Sequence, residues 1–397
     1  MSSSTGASSV DRRYDVVVAG ARVAGASTAM LLARAGLRVL VVDPTARGRD
    51  TLSTHALMRA GVAQLSRWGL LDRVRAAGTP RVDETTFVYE TEVVTVPVEP
   101  DALVDGLYAP RRTVLDPILA DAAMESGAEL RWGWRLVDLD RTPNGHVVGA
   151  RLRAPDGAVH LVRADLVVGA DGLHSQVARL VGARTRRTAR HATATIFGYW
   201  AEPASRGYRW LFGHGVAAGV IPTNGGVLVF AGMPPSRLHA ERARGLDAIH
   251  AEVLREVSPE LEARLRASGA APKLRAFAGV PGHVRESAGP GWALVGDSGY
   301  YKDPLTAHGM TDALRDAELL ARAVVNGRSG PDTLDDALLA YEARRDDLSL
   351  DLFAVTDEIA SLRWSQPEVQ RMHRDLSRGM KAEVEEIRRW ERQPAAA

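Results

Sequence analysis

The sequence predicts an α/β fold: a parallel sheet wrapped by helices, a second sheet of antiparallel hairpins, and helices at the C-terminal end. Three observations predict it. Short apolar runs of the buried parallel-strand kind recur at 14–19, 37–43, 165–171 and 291–297. Residues 192–233 alternate apolar stretches with glycine-marked turns. Beyond residue 311, apolar positions recur at helical spacing within charged sequence.

At 397 residues the chain suits two intimately packed domains better than one small core. The expected division is a disordered segment at 1–13 and a discontinuous first domain at 14–80, 110–182 and 275–345. An antiparallel-sheet domain is expected at 81–109 and 183–274, and C-terminal helices at 346–397. The net charge is +1 and arginines are spread along the chain, which argues against a nucleic-acid or anionic-lipid docking face. The lack of cysteine excludes disulfides, thiolate metal sites, iron–sulfur clusters and a cysteine nucleophile. The opening residues are small and polar, without the apolar stretch of a signal peptide. No apolar run nears the roughly 18 residues of a bilayer span, so a cytoplasmic protein with no stable membrane insertion is expected.

The first apolar run, YDVVVA, enters Gly20-Ala21-Arg22-Val23-Ala24-Gly25. ASTAMLLARAG then reads as a helix stopping at Gly36, and LRVLVVD as a strand ending at Asp43. Strand, glycine turn, helix and strand within about thirty residues form the Rossmann-type dinucleotide-binding unit. N–H groups at the helix start, aided by the positive end of the helix dipole, hold a pyrophosphate. Asp43, roughly twenty residues past the turn, is placed to accept hydrogen bonds from ribose hydroxyls. Arg22 replaces the middle glycine of G-x-G-x-x-G, whose missing side chain lets the backbone approach the phosphates. The N–H groups survive that replacement; the side chain either turns outward or lies over a phosphate.

Two later strand ends carry weaker signals. DLVVGAD turns at Asp171-Gly172 into helical sequence, and taken alone Asp-Gly is a common turn pair. GWALVGD ends in Gly296-Asp297, before the loop SGYYKDPLTAHGM and a long amphipathic helix. An aspartate there suits a sugar-like chain and, equally, a solvated strand end.

In order and spacing, the turn at 20–25, Asp171-Gly172 and Gly296-Asp297 resemble the three signatures of the para-hydroxybenzoate hydroxylase-like FAD-dependent monooxygenases. That family is related to the geranylgeranyl reductase-like flavoproteins. The resemblance covers roughly residues 14–345 and makes the first domain an FAD-binding domain. It implies FAD, with Gly20, Arg22, Val23, Ala24 and Gly25 around the pyrophosphate and Asp43 on the adenosine ribose. Arg112 matches the arginine that leads the family's R-x-x-L-x-x-x-L helix beside the cofactor; with Arg111 it reads equally as a solvated pair. Asp171 would support the loops around the cofactor, and Gly296 and Asp297 would meet its ribityl or pyrophosphate oxygens. Pro304, Gly309 and Met310 would line the isoalloxazine, with backbone at Gly309 facing flavin N1 and O2. Thr311 departs from an asparagine frequent in the family. His308, immediately before Gly309, is the catalytic candidate, with an ordinary loop histidine as its alternative.

The remaining strand-like stretches are 85–98 and 129–141, and hairpins at 192–233 include the turn Thr223-Asn224-Gly225-Gly226. An antiparallel sheet roofs the substrate pocket in the resembled family. Tyr199, Trp210 and Phe212 are therefore substrate-facing candidates, with plain sheet core as the alternative for each. Segments 333–363 and 366–391 read as helices that either cover the first domain or make homodimer contacts.

No second glycine-rich motif for NADPH or NADH is present, as in the resembled family, whose nicotinamide binds transiently. The resemblance implies an FAD monooxygenase that uses NAD(P)H and O2, through a flavin C4a-hydroperoxide, on a small aromatic or polyketide-like substrate. No metal is called for. Reduction of carbon–carbon double bonds is the alternative, because DPLTAHGM also resembles the geranylgeranyl reductase loop. A flavin halogenase is disfavoured: Trp132 and Trp134 have W-x-W spacing but lack the following Ile-Pro. A nucleotide-binding protein that lost FAD through Arg22 is the non-enzymatic alternative.

Overall fold

The computed structural model describes residues 13–392 except 91, 202–204, 270–271 and 331–332. The N-terminal segment thus lies outside the described residues apart from Arg13, which already belongs to a strand. Along the chain run β1 (Arg13–Ala19), α1 (Val23–Arg34), β2 (Val39–Asp43) and α2 (Arg59–Arg67). The hairpin β3 (Glu84–Val88) and β4 (Val93–Pro97) follows, then α3 (Arg112–Glu125) and β5 (Glu129–Trp132). Next come β6 (Arg135–Arg141), β7 (Val147–Arg153), β8 (Val159–Gly169) and α4 (Gln176–Val181). Four strands follow, β9 (Ala194–Trp200), β10 (Gly207–Gly213), β11 (Val216–Thr223) and β12 (Gly226–Met233), the last three joined by tight turns. The chain continues through α5 (Leu246–Val257), α6 (Pro259–Ala267), β13 (Arg275–Phe277) and β14 (Trp292–Leu294). It closes with α7 (Gly309–Ser329), α8 (Leu334–Ala360) and α9 (Gln366–Arg392).

The expected α/β class holds. The parallel core of an eight-stranded sheet runs β14–β8–β1–β2–β5. β14, β2, most of β1 and the second half of β8 are buried on both faces, which is why they read as continuous apolar runs, whereas β5 at the edge is partly exposed. Val16, Val18, Val39 and Val41 join one core, while Val17, Ala19, Leu40 and Val42 join another on the opposite face. The glycine turn, Asp43, Asp171 and Gly296 all follow the carboxyl ends of these strands, where open α/β sheets bind ligands.

The second sheet has seven strands in the order β13–β9–β12–β11–β10–β3–β4. Its neighbours are antiparallel except β10 with β3, which run parallel. It includes Arg275–Phe277, so the sheet extends past the boundary expected at 274. Asn224-Gly225 closes the β11–β12 hairpin, with Gly225 at φ +75°, a conformation a residue with Cβ rarely adopts. One face buries Ile196, Leu211, Val220 and Val229 against Ile249, Val253, Leu261 and Leu265 of α5 and α6. The other carries Phe197, Tyr208, Trp210, Phe212 and Phe230 into the core it shares with the first sheet's helices. The C-terminal helices cover the first domain: α8 packs on α7, and α9 packs on α2 and α8.

Candidate functional site

The glycine turn is folded back on itself. Gly20 has φ +107°, and a Cβ there would lie 2.3 Å from the Ala170 carbonyl oxygen. A Cβ at Gly25 would lie 1.8 Å from the Gly20 carbonyl oxygen. Both positions require glycine to bring α1 against β1 and the end of β8. Val23 and Gly25 are buried, while Arg22 and Ala24 remain partly exposed at the helix entry. Among the described residues no side chain caps α1, so its first N–H groups are free for an anion. Asp43 accepts from the Ala21 N–H at 2.9 Å and from the Thr45 N–H and hydroxyl at 2.8 and 2.6 Å. That carboxylate ties the turn to the end of β2.

Arg22 leaves the turn: its Nη1 donates to Thr51 Oγ1 at 2.8 Å. There it lines an open cleft of about 720 Å³ with Arg49, Asp50, Thr51 and Arg275. A second cleft of about 600 Å³, by Arg13, Gly36, Arg38 and Ser126, lies at the opposite end of β1. It faces the amino ends of the strands, away from every candidate site residue.

The second and third signatures meet the first. Asp171 accepts from Ser175 Oγ at 2.5 Å and from the Gln176 and Val177 N–H groups at 2.7 and 3.1 Å, capping α4. With its acceptor sites so engaged it supports the loop, and the Gly172 N–H donates to Ser298 Oγ at 3.0 Å. A Cβ at Gly296 would lie 3.0 Å from Ala24 Cβ and 3.5 Å from Ala313 Cβ, so this glycine lets α1 and α7 converge. Gly309 is exposed at the start of α7, and a Cβ there would meet nothing nearer than Asp297 Oδ1 at 4.0 Å. Among the described residues no side chain caps α7 either. Burial pushes the Asp297 carboxyl up to about 6, against the pull of Arg112 and with Asp312 adding to the rise.

Pro304 is partly exposed in a short helical turn, and Asp303 fixes that loop by accepting from the Thr193 N–H and hydroxyl, both at 2.6 Å. Met310 is buried, with Sδ 4.0 Å from Ser53 Oγ, and the Met58 N–H donates to Thr311 Oγ1 at 3.1 Å. The loop after β2 therefore rests on the start of α7.

His308 does not open on a pocket. It is 1% exposed, with Nδ1 3.1 Å from Asp312 and Nε2 3.0 Å from Glu383 of α9. Burial opposes its protonation, but Glu383 and Asp312 outweigh that and raise its pKa. Lys302 pairs with Asp312, and Arg315 with Asp312, Asp316 and Glu383. His308, Asp312 and Glu383 are metal-ligand types close together, yet Lys302 and Arg315 already neutralise the carboxylates. The catalytic reading of His308 gives way to membership of a buried ion network that joins α7 to α9.

The aromatic candidates divide. Trp210 packs on Tyr208 and Phe230, and Phe212 on Tyr89, Trp364 and His373, whose ring centroid is 4.4 Å away. Both are under 8% exposed, so their substrate-facing assignment becomes sheet core. Tyr199 differs. Its ring lies 3.9 Å beneath the Arg111 guanidinium, and its hydroxyl is 2.5 Å from His55 Nε2. Burial pushes the Tyr199 hydroxyl up to about 12 and drops the His55 imidazole to about 3, with Arg112 adding to the fall. His55 is therefore neutral near pH 7.

Arg112 makes a paired contact with Asp116, at 2.8 and 3.0 Å, and Arg275 pairs with Asp50 at 2.7 Å. Sequence reasoning passed over His55, Asp50 and Arg275 and left Arg111 undecided. A lone histidine or a spaced arginine carries no periodic signal.

A protein-family model described as "FAD binding domain" matches residues 13–354. The chain belongs to that FAD-binding family. Menaquinone reductase of Mycolicibacterium smegmatis is 30% identical over 343 residues, 80% of this chain and 78% of that protein. Aklavinone 12-hydroxylase RdmE of Streptomyces purpurascens is 35% identical over 197 residues, 43% of this chain and 35% of that one. Among solved structures, the flavin-dependent brominase Bmp2 superposes with a TM-score of 0.77 at 19% identity, over 96% of this chain and all of that one. At that identity the likeness concerns the fold alone. The residues present fit FAD: two uncapped helix starts, a glycine turn that lets α1 begin hard against β1, and open space at Gly309. The protein is an FAD-dependent oxidoreductase, and no described helix is long and apolar enough to cross a membrane.

Proposed function

We propose that the protein is a monooxygenase that takes electrons from NADPH or NADH and uses O2 to hydroxylate a small aromatic or polyketide-like substrate. The observation that supports this reading is the placement of an aromatic-rich sheet over the loop that enters α7. A Cβ at Gly232 of that sheet would lie 3.7 Å from Leu305 Cδ1, and Phe197, Tyr199 and Trp210 share a core with Leu305, Ala307 and Met310. A flat apolar ring held between that sheet and a flavin would be shielded from water.

When bound, FAD supplies the redox chemistry, accepting hydride from the nicotinamide and activating oxygen. The chain's own residues bind and orient. Gly20, Arg22, Val23, Ala24 and Gly25 would hold the pyrophosphate at α1, and Asp43 would stiffen that turn beside the ribose. Gly296 and Asp297 would meet the ribityl chain, with Arg112 beside them and Pro304, Gly309 and Met310 along the ring. The free N–H groups of α7 would stabilise negative charge at the ring edge. Tyr199 would face the substrate, with its hydroxyl fixed by His55.

The purified protein is expected to be yellow, or to become so with FAD. NADPH or NADH should drive oxygen uptake, accelerated by a hydroxylated aromatic substrate, and a product heavier by one oxygen atom should appear. Flavin reduction followed by substrate reduction under strict anaerobiosis would overturn oxygenation. It would instead support carbon–carbon double-bond reduction. That second reading is favoured by one observation: the reductase relative matches 80% of this chain, the hydroxylase relative 43%.

A further inference from the structure

We propose that His308 carries a proton in the folded protein and so cancels a surplus carboxylate behind the entry of α7, which keeps the flavin readily reducible. The proposal rests on the placement of the flavin ring at that helix entry. His308 touches neither flavin nor substrate; it is a positioning residue that acts through the field it sets at the helix start.

Behind the first turns of α7 lie three carboxylates, Asp312 and Asp316 of α7 itself and Glu383 of α9, all buried. Two permanent cations answer them. Lys302, from the loop before the helix, pairs with Asp312, and Arg315 pairs with all three. Arg345 of α8 faces the same cluster across the Tyr300 ring but is bound to Asp346 at 2.7 Å. Three against two leaves one negative charge, sealed from water, where reduction of the flavin would bring another. An uncompensated buried charge is costly, and uptake of a proton is the ordinary relief.

Two groups compete for that proton. Asp316 Oδ1 accepts from Arg315 Nε and Nη2 at 3.0 and 2.7 Å, while its Oδ2 is buried without a hydrogen-bond partner. Burial raises this carboxyl, with Arg315 and Arg345 opposing. A proton on Oδ2 would have no acceptor among the described residues. His308 is better furnished, with Nδ1 3.1 Å from Asp312 Oδ1 and Nε2 3.0 Å from Glu383 Oε2. The second pair lacks the alignment of a hydrogen bond and meets as a charge contact. Carboxylate oxygens only accept, so a neutral imidazole would turn a lone pair on one of them, whereas the imidazolium has a donor for each. Lys302 Nζ, 3.4 Å from Nδ1, lies closer to Asp312.

The uncapped N–H groups of α7 begin at the next residue, Gly309. Hydride transfer turns the neutral oxidised ring into an anion, so a surplus negative charge behind the helix disfavours the reduced state alone. Unit charges about one helix diameter apart, at an effective dielectric near ~20, shift an equilibrium by roughly tenfold or more.

The test is the midpoint potential of the FAD-loaded protein at pH 7, read against a reference dye. His308→Gln keeps the surplus carboxylate. Its preference for reduced over oxidised flavin is expected to fall at least tenfold, a midpoint lowered by about 30 mV or more. Adding Glu383→Gln removes that carboxylate and should bring the preference back to within threefold of the wild type. A second measurement needs no variant: nitrogen-15 spectra of the histidine-labelled wild type at pH 8.5. Ordinary histidines are neutral by then, and burial has already lowered His55, His250, His283 and His373 to about 3 or 4. One imidazolium is expected to remain.

Absence of that imidazolium overturns the proposal whether or not any variant folds, and would leave the proton on Asp316. So does an unchanged midpoint in His308→Gln, or a double variant as low as the single one, which would mark a packing defect. Wild-type FAD affinity in Gly309→Ala would refute the placement of the flavin. Unmoved midpoints with that placement intact refute the role of His308 alone.

Discussion

Replacing Gly309 with alanine separates contact with the cofactor from the integrity of the fold. In the protein alone the new methyl group meets only Asp297 Oδ1 at 4.0 Å, an ordinary contact. Alanine is also the better helix former, by about 1 kcal/mol in a helix interior and less at the first position. The FAD-free variant is therefore expected to unfold within roughly 2 °C of the wild type. Bound flavin changes the balance, because its ring edge would lie against this backbone. One extra carbon in a close-packed contact costs about 1–3 kcal/mol, which is a roughly 5- to 150-fold weaker dissociation constant.

Titration of FAD into the deflavinated protein, followed by flavin fluorescence, gives the affinity; a thermal melt of the same sample gives the stability. Wild-type affinity in Gly309→Ala would refute the placement of the flavin at the start of α7. Gly25→Ala is the contrasting case. Its Cβ would lie 1.8 Å from the Gly20 oxygen and 3.0 Å from Ala170 Cβ, where ordinary contact begins at 3.4 Å. Backbone cannot rotate aside as a side chain can, so α1 and the turn must part. That variant is expected to lose on the order of 3 kcal/mol even without FAD.

Arg22→Gly is expected to bind FAD within a few-fold of the wild type, because the side chain already leaves the turn for Thr51; flavin bound only by the glycine variant would contradict this. Folding raises the Asp297 carboxyl to about 6. Its contribution to stability is therefore present at low pH and lost as pH rises from about 4 through 6. Asp297→Asn should accordingly gain on the wild type across that window, by on the order of 1–3 kcal/mol above pH 6. Urea unfolding of the FAD-free proteins at several pH values checks it, and a pH-independent difference would sink the assignment. Glu383→Ala leaves Arg315 and His308 short of a carboxylate in a buried network, and a loss of about 3 kcal/mol in chemical unfolding is expected. An unchanged midpoint would show that Asp312 and Asp316 suffice.

The strand ends were legible because a strand buried on both faces must be apolar throughout, as Val16–Val18 and Val39–Val42 are. Gly20 and Gly25 were legible because their positions exclude a Cβ. The side-chain environments were not. Asp43 sits where expected, yet its oxygens already accept three hydrogen bonds from the turn and Thr45. Trp210 and Phe212 lie on the expected face of the sheet, but Tyr89 in the β3–β4 turn and Trp364 and His373 near the C-terminal end close over Phe212 from far along the chain. His308 reads as a loop histidine until Glu383, seventy-odd residues later, comes to stand beside it. Arg111 and Arg112 are adjacent and identical; one has a carboxylate four residues on, and the other is laid on a tyrosine from the second sheet. Local pattern carries backbone conformation, whereas partners are chosen by topology.

The pairing of Glu383 with Arg315 and His308 also bears on how the protein is made. During synthesis the start of α7 leaves the ribosome long before α9 exists, so Arg315 and His308 enter the folding interior without the carboxylate they later share. The helix entry that would seat the flavin ring therefore gains its final support only when nearly the whole chain is out. Capture of the cofactor belongs, on this view, to the finished polypeptide rather than to the nascent one, and a chain stopped short of residue 383 should remain a poor flavin binder.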